Sequence, residues 1–132
     1  MPDPQPFGLD RVGQIHVTAH DLDRAVAFYR DRLGVPLLFR VPNMAFFQCG
    51  SVTLMLGVPE TTELDHPASI IYYQVDDIAA AHRTLAERGV RFIREPQLTH
   101  RAPDHELWIG FFTDSEANTV AIMERRPIAD SR

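Results

Sequence analysis

The chain has one cysteine and one tryptophan in 132 residues, no excess of basic side chains and no long apolar run. Each scarcity excludes something. A lone Cys49 rules out an internal disulfide and suits a reducing cytoplasm. A net charge of −5 and a pI near 5.6 argue against a phosphate-backbone binder, because no basic stripe could release counterions. Arg125-Arg126 is too short to change that. No stretch approaches the ~18–20 apolar residues of a membrane span. The start, Met1-Pro2-Asp3-Pro4-Gln5-Pro6, lacks the basic flank and apolar segment of a signal peptide and reads as an extended, proline-stiffened arm. A cytoplasmic protein without nucleic-acid or membrane partners is expected. With 45% hydrophobic and 23% charged residues, the chain is a globular domain able to bury a core.

What the chain does contain is the same half-domain twice. The first copy opens on Gln14–Thr18, alternating Gln14, His16 and Thr18 with Ile15 and Val17. Asp21 then caps an amphipathic stretch with Leu22, Ala25/Val26, Tyr29 and Leu33 at helical spacing, and Gly34 is a good stop. Strands are expected near Leu37–Val41, Met44–Cys49 and Ser51–Gly57. The second copy repeats the order: a strand at Ile70–Val75, a helix capped by Asp76 or Asp77 and stopped by Gly89, then strands near Val90–Glu95, His105–Thr113 and Asn118–Glu124. Pro96–Asp104 reads as an irregular insert, the kind of loop that often carries function. The breaker-rich stretch from Pro59 to Pro67 reads as a linker. The chain is therefore read as one α+β domain of two tandem βαβββ modules, about 10–57 and 69–124, joined by a linker at 58–68, with short tails at both ends. A curved mixed sheet around a central cavity is the expected result.

This pattern resembles the vicinal oxygen chelate superfamily, which includes glyoxalase I, extradiol dioxygenases and bleomycin-resistance proteins. The likeness is carried by Asp21-Leu22-Asp23-Arg24-Ala25-Val26-Ala27-Phe28-Tyr29, Leu33-Gly34, and Phe111-Phe112-Thr113-Asp114-Ser115-Glu116-Ala117-Asn118. The last motif departs from the family's usual Asp-Pro-Asp-Gly-Asn, and a turn needing positive φ at Ala117 would be strained. Metal-using members take one ligand from each of four strands. The resemblance places these positions at Gln14, Met55, Ile70 and Ala121. Only Gln14 could serve, so the family metal site reads as erased, with no metal and no cofactor.

The faces that would carry those ligands also name a cavity lining, largely apolar and aromatic: Gln14, Phe46, Met55, Ile70, Ile109, Phe111 and Ala121. His16, Tyr72 and His105 are the candidates for acid–base work there. His16, His100 and His105 could form a non-family metal site only if the loop folded inward. His20, His82 and the Asp65-His66 pair read as packing or surface residues, Cys49 as structural, and Trp108 as facing away from His105. The expected function is metal-free binding of a small apolar or aromatic molecule between the modules, similar to the bleomycin-resistance branch, in a homodimer. The alternative is a glyoxalase- or dioxygenase-like enzyme, either cofactor-free through His16, Tyr72 and His105 or metal-dependent with non-family ligands.

Overall fold

A computed structural model describes residues 7–9, 11–62, 64–67 and 69–128. The proline-rich start, Met1–Pro6, lies outside the described residues. Module one runs β1 (Gln14–Thr18), α1 (Leu22–Ala27) continuing into a π-helical turn (Phe28–Arg32), β2 (Leu37–Val41), β3 (Met44–Cys49) and β4 (Val52–Gly57). Module two runs β5 (Ile71–Gln74), α2 (Ile78–Glu87), β6 (Phe92–Arg101), β7 (His105–Thr113) and β8 (Thr119–Pro127). The fold is α+β, and its mixed sheet is divided into two four-stranded halves, ordered β1-β4-β3-β2 and β5-β8-β7-β6. In each half the first strand pairs parallel with the last, and the remaining pairs are antiparallel.

Local chemistry sets these boundaries. The Asp21 carboxylate accepts from the Arg24 N–H at 3.0 Å, and Asp77, rather than Asp76, does the same for Ala80 at 3.1 Å. Gly34 and Gly89 stop the helices with φ of 74° and 85°. In the π-helical turn, the Leu33 N–H reaches back to the Phe28 carbonyl at 3.1 Å. The neighbours Phe28 and Tyr29 are both buried there.

Two expectations need correction. Pro96–Asp104 is not an irregular insert: β6 continues to Arg101 through two bulges, leaving only a short turn before β7. Pro96 is tolerated because β6 is a sheet edge, where a missing N–H costs no ladder bond. Gly110 opposite gives it room, since a Cβ there would lie 3.1 Å from the proline ring. β8 extends past Glu124 to Pro127, pairing Arg126 with Glu106. Ala117 adopts positive φ, 67°, the strained conformation that a glycine-like turn position asks of it.

One apolar core lies on the helical side of both sheets. Tyr29, Phe47, Leu54, Leu56 and Val17 of module one join Phe112 and Ile78 of module two as its fully buried members. Each such side chain contributes roughly 1.5–3 kcal/mol of burial. The β7–β8 turn clamps the modules together. Its Asp114 accepts from the Tyr29 hydroxyl at 2.7 Å and from the backbone N–H of Glu116 and Asn118, both at 2.8 Å. Glu116 accepts from the N–H groups of His20 and Asp21, both at 3.0 Å, and pairs with Arg24 at 2.7 Å. Burial opposes ionisation of Glu116. The Arg24 and Ser115 side chains and the Asp21 N–H outweigh it, holding the carboxyl down to about 2. Among the described residues no helix is long and apolar enough to cross a membrane.

Candidate functional site

Register decides which side chains leave the core. In module one, His16 lies opposite Met55, and Gln14 opposite Thr53. Met44 pairs with Gly57 and Phe46 with Met55, so all of these share the face turned away from α1. In module two, Tyr72 pairs with Ala121, and Ala121 with Phe111; Ile109 pairs with Met123. These occupy the corresponding face of the second sheet.

A cavity of about 490 Å³ opens on the module-one face. His16, Met44, Met55 and Gly57 form its sheet wall, and the connector after β4 (Val58, Pro59, Glu60, Leu64, His66) forms the opposite wall. The Pro42-Asn43 turn closes one end, with Asn43 in the left-handed region at φ 68° and its carbonyl accepting from the Val58 N–H at 2.9 Å. Gly57 leaves room for the imidazole: a Cβ there would stand 2.6 Å from His16 Nε2, so the ring would have to shift. Burial, and secondarily the nearby His66 imidazole, push the His16 pKa below its ordinary value, so His16 is neutral at physiological pH. His66 is held from behind, its carbonyl accepting from the Thr18 hydroxyl at 3.0 Å. A neutral imidazole in such a chamber can accept one hydrogen bond and donate another to a ligand.

Of the residues singled out from the sequence, His16 and Met55 line this cavity. Gln14 is exposed beside it, its amide 3.7 Å from the Met55 sulfur. Phe46 stacks on Phe39 with ring centroids 4.7 Å apart. A second group gathers on module two: Tyr72 meets the Phe111 ring edge-on at 6.0 Å, over a fully buried Ala121, with the Arg94 guanidinium 5.7 Å from the Phe111 ring centre. Ile109 is half-buried along the same strand, and Ile70 is exposed just before β5. His105 stands apart at the start of β7, with Nδ1 2.8 Å from Asp104. It lies six residues from Phe111, about 20 Å along an extended strand, and in a different sheet from His16.

His100 is exposed on β6, opposite Leu107. Among the described residues no three His, Cys, Asp or Glu side chains are placed to hold one ion. The positions that the resemblance marks for ligands, Gln14, Met55, Ile70 and Ala121, offer one amide and one thioether between them and do not fit a divalent metal.

Sequence reasoning missed the connector. His66, Glu60 and Leu64 carry no periodic signal, and only the tertiary path brings them over His16. The remaining histidines are accounted for: His20 bonds Asp65 at 2.8 Å, and His82 meets the Phe92 ring edge-on at 4.5 Å. Cys49 packs half-buried against the core. Trp108 faces α2, donates to Glu106 at 3.1 Å and carries the Arg126 guanidinium over its ring at 4.8 Å.

Known proteins share this fold. The family model described as the glyoxalase/bleomycin resistance protein/dioxygenase superfamily matches residues 11–122. The chain is 25% identical over 123 residues to YraH, an uncharacterised protein of Bacillus subtilis (strain 168), covering 83% of this chain and 94% of that one. A lactoylglutathione lyase from Agrobacterium tumefaciens superposes with a TM-score of 0.71 at 23% identity, over 89% of this chain and 95% of its own. TnmS3, an antibiotic binding protein from Streptomyces sp. CB03234, superposes with a TM-score of 0.71 at 22% identity, over 91% and 99%. Those two likenesses are of fold. The matched span runs from ahead of β1 into β8, and the chain belongs to the glyoxalase/bleomycin resistance protein/dioxygenase superfamily.

Proposed function

We propose that this protein binds a small, largely apolar or aromatic molecule in the His16 cavity, without a metal. The observation that carries the reading is the cavity itself: about 490 Å³, walled by Met44, Met55, Val58, Pro59 and Leu64, with His16 and His66 as its imidazoles. Ligand pockets are of this size and composition, mostly apolar with a few placed polar groups. The donor set at Gln14, Met55, Ile70 and Ala121 supports binding without an ion. The likeness to an antibiotic binding protein points the same way, though it is a likeness of fold. A second copy of the chain would cover the open faces and complete the pocket, since Phe39 and Tyr72 are 53% and 45% exposed in a single chain.

A second reading follows from the depressed pKa of His16: a neutral imidazole is a competent base for a proton on a carbonyl substrate.

One experiment separates these readings. A thermal-shift screen of aromatic and amphipathic small molecules should find stabilisers, because a ligand of the native state raises stability by mass action. Met55→Lys should abolish the shift. Mass spectrometry after incubation then distinguishes an unchanged ligand from a product, and a product lost in His16→Ala makes the protein an enzyme. A stoichiometric divalent ion in the purified protein, or no stabiliser across the screen, counts against the proposal.

A further inference from the structure

A different cavity, on the helical side of the sheets, is formed where the two modules meet. It holds about 350 Å³, within the ~300–1,000 Å³ of small-molecule pockets. Module one contributes Leu33 and Val35, which follow the π-helical turn; module two contributes Tyr73 and Val75 of the β5 segment, and Ala81, Leu85 and Arg88 from α2 and its end. The lining is apolar apart from Tyr73, Thr84 and Arg88. Every one of those three can donate a hydrogen bond.

The rim of this cavity gives it a chemical preference, through Arg88. The Arg88 guanidinium donates to the Arg32 carbonyl at 3.1 Å and passes Gly34, while the Arg32 guanidinium passes Gly89. Arg24, Arg30, Arg40, Arg101 and Arg126 each pair with a carboxylate. Among the described residues no carboxylate forms such a pair with Arg88, nor with Arg32, Arg83, Arg91, Arg94 or Arg125, and of these Arg88 alone lines this cavity. An arginine without a carboxylate partner at the mouth of an apolar chamber matches an anion that carries an apolar body.

We propose that this inter-module cavity is a second binding site, for a small apolar carboxylic acid. Its carboxylate lies on Arg88 at the rim, and its body fills the space between Val35, Val75 and Leu85. Because the site touches both modules, its occupation ties α2 to the end of the π-helical turn. The site shares no lining residue with the His16 cavity and stands independently of the reading given above.

Octanoate, octanol and octylamine, titrated into the full chain by calorimetry, test this. Octanoate should bind, octanol at least tenfold more weakly, and octylamine not at all. Arg88→Met, which keeps the stem and removes the charge, should weaken octanoate at least tenfold while leaving octanol unchanged. Ala81→Phe should fill the cavity and abolish binding of both. Should that variant fail to fold, methyl NMR of the unmodified protein gives the location, with octanoate shifting Val35, Val75 and Leu85. Absence of octanoate binding overturns the proposal. So does equal affinity for octylamine, or loss of binding in Met55→Lys with Val75 and Leu85 unshifted, which would place the ligand in the His16 cavity.

Discussion

Gly57 and His16 are strands apart in the chain and touch in space. The glycine is needed for the berth it leaves rather than for its backbone, since only the added Cβ would collide with the imidazole. Gly57→Ala should therefore push His16 out of the cavity wall and weaken binding of any ligand found by the screen about tenfold or more. A crystal structure of the variant with the ring unmoved would contradict this. The same imidazole sets a pH dependence. Its folded pKa lies below its ordinary 6.5, so the folded protein binds that proton less readily than the unfolded chain. The contribution is nil above about pH 6.5 and becomes unfavourable as pH falls from there through the folded pKa. His16→Asn should lose less stability than the parent on going from pH 7.5 to 5, read as the fall in melting temperature; equal falls would show that His16 is not desolvated.

At the scale of elements, the β7–β8 turn is where module two is fastened to module one. Ala117 holds a left-handed conformation that costs a residue with a Cβ roughly 1–2 kcal/mol. Ala117→Gly should raise stability by about 1 kcal/mol in urea unfolding, and a neutral or destabilising result would mean that the turn is not strained. Glu116, with a folded pKa of about 2 against an ordinary 4.5, contributes stability that is present above pH 4.5 and lost as pH falls towards 2. That contribution is on the order of 2–3 kcal/mol. Glu116→Gln should be less stable at neutral pH and less sensitive to acid. If both proteins lose the same stability between pH 5 and 2.5, the carboxylate is not the fastener. The sequence departure at residues 115–117 thus reads differently in three dimensions: the turn kept its shape, and Glu116 ties it to the capping end of α1 through His20, Asp21 and Arg24.

For the molecule as a whole, the helical faces share one core while the opposite faces of the sheets remain open. A homodimer that covers Phe39, Tyr72 and their neighbours is expected, and light scattering should give twice the mass of one chain. Replacing Tyr72 with Asp should shift it towards monomer, whereas a monomeric parent would refute the expectation.

Helix caps at Asp21 and at Asp76 or Asp77, stops at Gly34 and Gly89, and the duplicated βαβββ order are all legible in the residue string, because capping, glycine conformation and alternation act over a few neighbours. Alternation also tells which side of β1 and β4 carries His16 and Met55. It gives no sign that β6 runs through Pro96, because that depends on β6 being an edge. Nor does it place His66 over His16, or Arg88 beside Arg32, because each of those meetings depends on how a connector or a second module is laid down. By itself, then, the sequence determined the modules and their faces. Only the tertiary structure decided where the cavities lie, since a cavity is made by residues that long-range packing, rather than local propensity, brings together.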